Sequence, residues 1–203
     1  MIIIRWQNRK GNGAHPRPGE VGVSAPEMLM KLIKELAGPV LAAVVLAMLL
    51  LTVIQPTIIR EDSMLPNYHD GDYLIINKRA YSGSRTPERG DIVVLKASLE
   101  GKKLLIKRVI AIEGDTLEFD GRGNVYLNGE LLSEDYIKDP GQTYPNGGSM
   151  SYVLGSNEVF CMGDNRLVSL DSRSPDVGVI STSDIVGKAA VRLFPVKDAG
   201  KCE

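Results

Sequence analysis

The chain has 203 residues, 43% of them hydrophobic, with 24 Lys and Arg against 25 Asp and Glu for a net charge of −1. With a pI near 6.2 and no basic stripe interleaved with aromatics, the composition argues against a nucleic-acid partner. Two histidines, His15 and His69, and two cysteines, Cys161 and Cys202, form neither a cluster nor a Cys-x-x-Cys pair. No protein-built metal site and no disulfide framework is therefore expected, and both thiols are expected to be free. The sequence holds no Gly-rich nucleotide-binding motif and calls for no cofactor.

In chain order, residues 1–35 read as an arm rich in Gly, Pro and basic residues, partly disordered, whose end, Met28 to Glu35, can begin a helix. Residues 36–59 carry no formal charge and exceed the roughly 20 apolar residues that cross a hydrocarbon core, so they predict one transmembrane helix. Gly38-Pro39 marks a kink or a restart within it. Arg17, Lys31 and Lys34 precede this run, whereas Arg60 alone follows it closely. The positive-inside bias then places the N-terminus in the cytoplasm and residues 60–203 outside, anchored in the cell membrane by a single pass.

Beyond residue 60 the pattern is β. Runs at 73–76, 91–95, 104–112, 158–162 and 185–194 are rich in Val, Ile, Leu and aromatics. Asp120-Gly121 and Asn128-Gly129 punctuate a β-meander over 116–131. Residues 139–151 have the composition of a surface loop. Ser181 to Asp184 is the best site for a short helical turn.

Three stretches carry candidate chemistry. Ser63, in Arg60-Glu61-Asp62-Ser63-Met64-Leu65-Pro66, directly follows the uncharged run; alone, such a serine is equally a capping or turn hydroxyl. Lys107 lies in a strand-like run with Leu105, Val109 and Ala111 on its side and Arg108 on the opposite, solvent-facing side. By pattern it is either a desolvated base or an edge-strand lysine. Keeping a lysine neutral at pH 7 costs roughly 4 to 5 kcal/mol, and full burial can lower its pKa by about 3 to 5, so apolar neighbours can make lysine the base a serine needs. His69, in a turn with Asn67 and Asp70, reads as a polar loop residue. In the third stretch, 163–174, Asp171 and Arg173 can pair to stiffen a loop, and the Ser169 hydroxyl can orient a lysine amine.

Together these pieces resemble the type I signal peptidases, the bacterial-type Ser-Lys leader peptidases. The resemblance rests on the anchor, Asp62-Ser63-Met64-Leu65-Pro66 with Gly71-Asp72, Arg89-Gly90-Asp91-Ile92-Val93, Lys107-Arg108-Val109 with Gly114-Asp115, and Gly163-Asp164-Asn165-Arg166 with Ser169, Asp171 and Arg173. It implies a mainly β, signal-peptidase/LexA-like β-barrel-type catalytic domain after one N-terminal transmembrane helix. It also implies that Ser63 is the nucleophile, Lys107 the general base, Ser169 the group orienting the amine, and Asp171 and Arg173 the brace. The oxyanion would be held in part by the Ser63 amide; where some members carry a hydroxyl two positions before the nucleophile, this chain has Glu61. Substrates would be preproteins with small residues one and three positions before the scissile bond, set against Ile59, Met64 and Ile106. The lipid bilayer is the other implied partner, and oligomeric state is left open. A LexA-type autoprotease lacks the anchor and the 163–173 loop, the microsomal signal peptidases use histidine in place of lysine, and a non-catalytic β-domain would not need both Ser63 and Lys107.

Overall fold

The computed structural model describes residues 25–97 and 104–202. Of the arm expected over residues 1–35, residues 1–24 lie outside them. The chain divides into two compact units, residues 1–46 and 47–203.

Helix α1 (Ala25–Val53) starts earlier and ends earlier than the 36–59 span read from charge alone. Pro26 and Glu27 suit its first turn, where the missing N–H is harmless and a carboxylate meets the positive end of the helix dipole. Pro39 sits inside it without ending it, and none of its side chains is buried. By length and composition α1 could cross a membrane, and its apolar side chains, Leu41 and Met48 among them at 65% exposure, would be costly to leave in water. Its end has a local cause. Pro56 lacks an N–H and biases Gln55 towards extended backbone, and Val53 and Ile54 are β-branched, so the chain passes directly into strand β1 (Ile54–Ile58). The Lys78 amide donates to the Val53 carbonyl at 2.8 Å and its Nζ to the Leu51 carbonyl at 3.2 Å, satisfying two acceptors at the helix end.

The remainder is mainly β. The larger sheet is a curled half-barrel with strand order β1, β2 (Tyr73–Asn77), β11 (Ile185–Phe194), β3 (Ile92–Lys96), β4 (Leu104–Ala111), β9 (Glu158–Met162) and β10 (Ile180–Ser181), with β12 (Gly200–Lys201) added to β11. As the terminal strand, β1 can hold a proline without breaking a ladder. A second sheet contains β7 (Glu130–Leu131), β6 (Val125–Leu127), β5 (Thr116–Phe119) and β8 (Ser151–Val153). Thus the meander lies where its turn signals put it, and Ser181 caps the 3-10 turn Thr182–Asp184 by accepting from the Ser183 amide.

Three apolar clusters hold this unit together. Ile59, Met64, Leu74, Ile76, Ile92 and Val94 pack on one side of the large sheet, and Val93, Leu95, Leu105, Val109 and Cys161 form a second cluster. Cys161 is therefore a core residue, and both cysteines are free. Phe119, Phe160 and Met162 with Ile110 and Ala111 form the third. A register shift between Val109 and Ala111 in the β4–β9 ladder sends Ala111 into a different cluster from Val109, so strict alternation from Lys107 fails at its fourth residue.

Candidate active site

Ser63 sits in a turn between β1 and β2 whose backbone is tied from several directions. The Asn165 amide donates to the Ser63 carbonyl at 3.0 Å, and Asn165 Nδ2 donates to the Asp62 carbonyl at 3.0 Å. The Tyr68 amide donates to the Met64 carbonyl at 3.0 Å, while Ile59 exchanges backbone bonds with Asp72 and Gly71. Met64 anchors the turn from beneath, fully buried beside Ile59 in the first cluster. Its sequence position beside Ser63 suggested a substrate-facing side chain; the structure instead turns Met64 into the core, where it does not line the cleft.

Lys107 reaches this turn from the middle of β4, opposite Val93 of β3. Its Nζ lies 2.7 Å from Ser63 Oγ and donates to the Ile106 carbonyl at 2.8 Å. Both side chains are buried, Lys107 at 2% exposure and Ser63 at 7%. Burial pushes the lysine pKa down to about 8, partly opposed by the negative charges of Asp171 and then Glu61. The amine is therefore a desolvated group rather than an edge-strand charge.

The loop after β9 closes the far side. Arg173 grips Asp171 through two bonds, Nε to Oδ1 at 2.9 Å and Nη2 to Oδ2 at 2.8 Å, and both are buried. Asp171 also accepts from the Gly163 amide at 3.0 Å, and Arg173 donates to the Arg166 carbonyl at 2.8 Å, so the pair fixes the loop's path. Ser169 is buried against Gly163, where an added β-carbon would sit 2.3 Å from its Oγ and 2.4 Å from the Ser63 carbonyl. The expected bond from the Ser169 hydroxyl to the Lys107 amine is not formed. Among the described residues Ser169 Oγ has no hydrogen-bond partner, and the bonds of Nζ go to Ser63 and Ile106.

Arg108 also departs from expectation. Far from facing solvent, it is 4% exposed. It makes a bidentate pair with Asp164, both bonds at 2.9 Å, and stacks 4.1 Å from the Tyr136 ring centroid. Asn67 Nδ2 donates to the same Asp164 at 2.8 Å, joining the Ser63 turn, β4 and the 163–174 loop through one carboxylate. Burial of that face by neighbouring loops gave no period in the β4 sequence, so alternation alone missed it. His69 is exposed on its turn.

Ser63 and Lys107 open onto a cleft of about 360 Å³ walled by Thr57, Ile58, Ile59, Glu61, Val94 and Ile106 among others. Two of the three substrate-facing candidates, Ile59 and Ile106, line it. Val94 and Thr57 were missed because nothing in the sequence links β1 and β3 to this wall. Among the described residues no group of three or more His, Cys, Asp or Glu is arranged to hold a metal ion. Chemically, the arrangement offers a hydroxyl, a base of lowered pKa in contact with it, and an apolar groove beside both.

Residues 31–194 match the family described as signal peptidase, peptidase S26. A probable signal peptidase I-1 of Synechocystis sp. is 37% identical over 177 residues, 83% of this chain and 86% of that one. Signal peptidase I P of Bacillus subtilis subsp. natto is 33% identical over 165 residues, 77% and 86% of the two chains. Among solved structures, a signal peptidase I from Enterococcus faecalis V583 is 26% identical and covers 53% of this chain and all of its own, with a TM-score of 0.43.

Proposed function

The chain belongs to the signal peptidase family, peptidase S26, and from that premise we propose that it is a membrane-bound serine endopeptidase removing N-terminal signal peptides from exported proteins by a Ser63–Lys107 dyad. The observation that carries the reading is the 2.7 Å contact between Lys107 Nζ and Ser63 Oγ on the wall of an apolar cleft. With its pKa pushed down to about 8, roughly a tenth of the lysine is neutral at pH 7. The neutral amine accepts the Ser63 proton as Oγ attacks the scissile carbonyl carbon.

The oxyanion of the tetrahedral intermediate is held in part by the Ser63 amide. Lys107, now an ammonium, returns the proton to the departing amine, leaving the signal peptide esterified to Ser63. Lys107 then takes a proton from water, whose oxygen attacks the ester carbonyl; the proton passes back to Ser63 Oγ as the ester bond breaks. Asp171 and Arg173 brace the loop that meets the dyad. Ser169, which with the Ser63 carbonyl closes the space around Gly163, would orient the amine during turnover. Ile59 and Ile106, with Val94, favour small apolar side chains before the scissile bond, and Met64 supports that wall from the core.

In this reading α1 is the anchor, the N-terminus is cytoplasmic, the β-unit is extracytoplasmic, and the partners are preproteins and the bilayer. The test is cleavage of a signal-peptide-bearing precursor in liposomes by the intact protein, Ser63→Ala and Lys107→Ala. The parent should cut after a small residue, with both folded variants inert. An inactive parent, or a Lys107→Ala variant of full rate, would overturn the assignment.

A further inference from the structure

Glu61 is two residues before Ser63 and holds a left-handed backbone, with φ at 81°. That conformation costs any residue with a β-carbon free energy that glycine avoids. It is held by the Glu61 amide, which donates to Asp70 Oδ1 at 3.2 Å. A strained position that keeps a charged side chain where glycine would fit better invites a functional explanation. Glu61 is exposed and forms part of the wall it shares with Ser63 and Lys107, and among the described residues it is the one acidic residue lining the cleft.

We propose, building on the Ser63–Lys107 reading, that Glu61 is a positioning residue on the cleft wall whose charge makes the Lys107 amine hold its proton more tightly, and so moves the point where the working pH range begins. The other groups facing the amine are already committed. Asp171 is paired with Arg173 and also accepts from Gly163. Asp164 is paired with Arg108. Cys161 on β9 is buried, and burial pushes its thiol pKa up, which keeps it neutral. Arg60, on the same wall, is of the opposite sign. Glu61 is the second-largest negative influence on Lys107, after Asp171. Because it is exposed, its influence is one that salt can screen.

The test is a direct titration of Lys107 in the full chain in detergent micelles, using lysine labelled with 13C at Cε. The Lys107 resonance is assigned by its loss in Lys107→Met. Parent, Glu61→Gln and Glu61→Gly are compared at low and high salt, and kcat/KM for a precursor is measured over the same pH range. Removing the carboxylate should lower the Lys107 midpoint by roughly 0.2 to 0.7 of a pH unit at low salt in both variants. The difference should shrink near 1 M salt, where the screening length is about 3 Å. The acid limb of kcat/KM should move by the same amount. Glu61→Gly should also melt higher than the parent, separating backbone strain from charge. A midpoint unmoved in Glu61→Gln overturns the proposal while leaving the dyad standing. A midpoint that moves while the cleavage profile stays put overturns the claim about working range and locates the failure in Lys107 as the base.

Discussion

Lys107 Nζ lies 2.7 Å from Ser63 Oγ although 44 residues separate the two in the chain. A turn pinned by Asn165 and a strand fixed between β3 and β9 bring them together. The contact depends on burial for its chemistry, because an exposed lysine would stay charged through the physiological range.

The first consequence is a pH dependence. With the amine pKa pushed down to about 8 by burial, kcat/KM for a precursor should rise with pH through a limb centred near 8 and level off above it. Initial rates between pH 6 and 10 would check this, and a profile flat across that range would contradict it.

The same burial should weaken the fold whenever the amine is charged. Below about pH 8 the folded and unfolded chains both carry the ammonium, and the full penalty of burying it is felt. Between about 8 and the ordinary lysine value of 10.5 the unfolded chain binds more protons, so stability rises with pH, and above both values the penalty is gone. The difference corresponds to roughly 3 kcal/mol. Lys107→Met should therefore resist urea better than the parent at pH 7, with the gain fading towards pH 10.5. An equal gain at both ends would show that the charge is not its cause.

Gly163 has no room for a β-carbon, which would meet Ser169 Oγ at 2.3 Å and the Ser63 carbonyl at 2.4 Å. The serine hydroxyl can rotate, but the carbonyl belongs to the backbone of the Ser63 turn. Gly163→Ala should cost about 1 to 3 kcal/mol of stability and displace Ser63. Thermal melts and cleavage rates on the same preparation would read both losses.

Ser169 gives the opposite pattern. Its hydroxyl is buried and without a partner among the described residues, so Ser169→Ala strands no other polar group there and should change stability by less than about 0.5 kcal/mol. If the hydroxyl engages the amine during turnover, kcat should fall at least about tenfold with KM little changed. Steady-state kinetics beside urea titration would separate the two effects.

Much of this was legible in the sequence where one residue type carries one physical demand. The runs at 104–112 and 158–162 became β4 and β9 because β-branched and aliphatic residues suit a packed sheet, and the Asn128-Gly129 turn joins β6 to β7 with both residues at positive φ. Pairing of Asp171 with Arg173 followed from two opposite charges in one tight loop. What could not be read depends on distant segments. Arg108 needed Asp164, 56 residues away, to become a buried residue. Met64 was assigned by proximity to Ser63, but in a tight turn neighbouring side chains diverge, and the core took it.

A nucleophilic Ser63 activated by Lys107 would be visible in the mass of the enzyme during turnover. A precursor with a small residue at the cut site would be mixed with the intact protein, quenched in acid within the first turnover, and digested for mass spectrometry. An acyl group is expected on the peptide containing Ser63, absent in Ser63→Ala and formed far more slowly in Lys107→Met. Product released with no adduct at Ser63, or an adduct that accumulates at the parental rate in Lys107→Met, would contradict it.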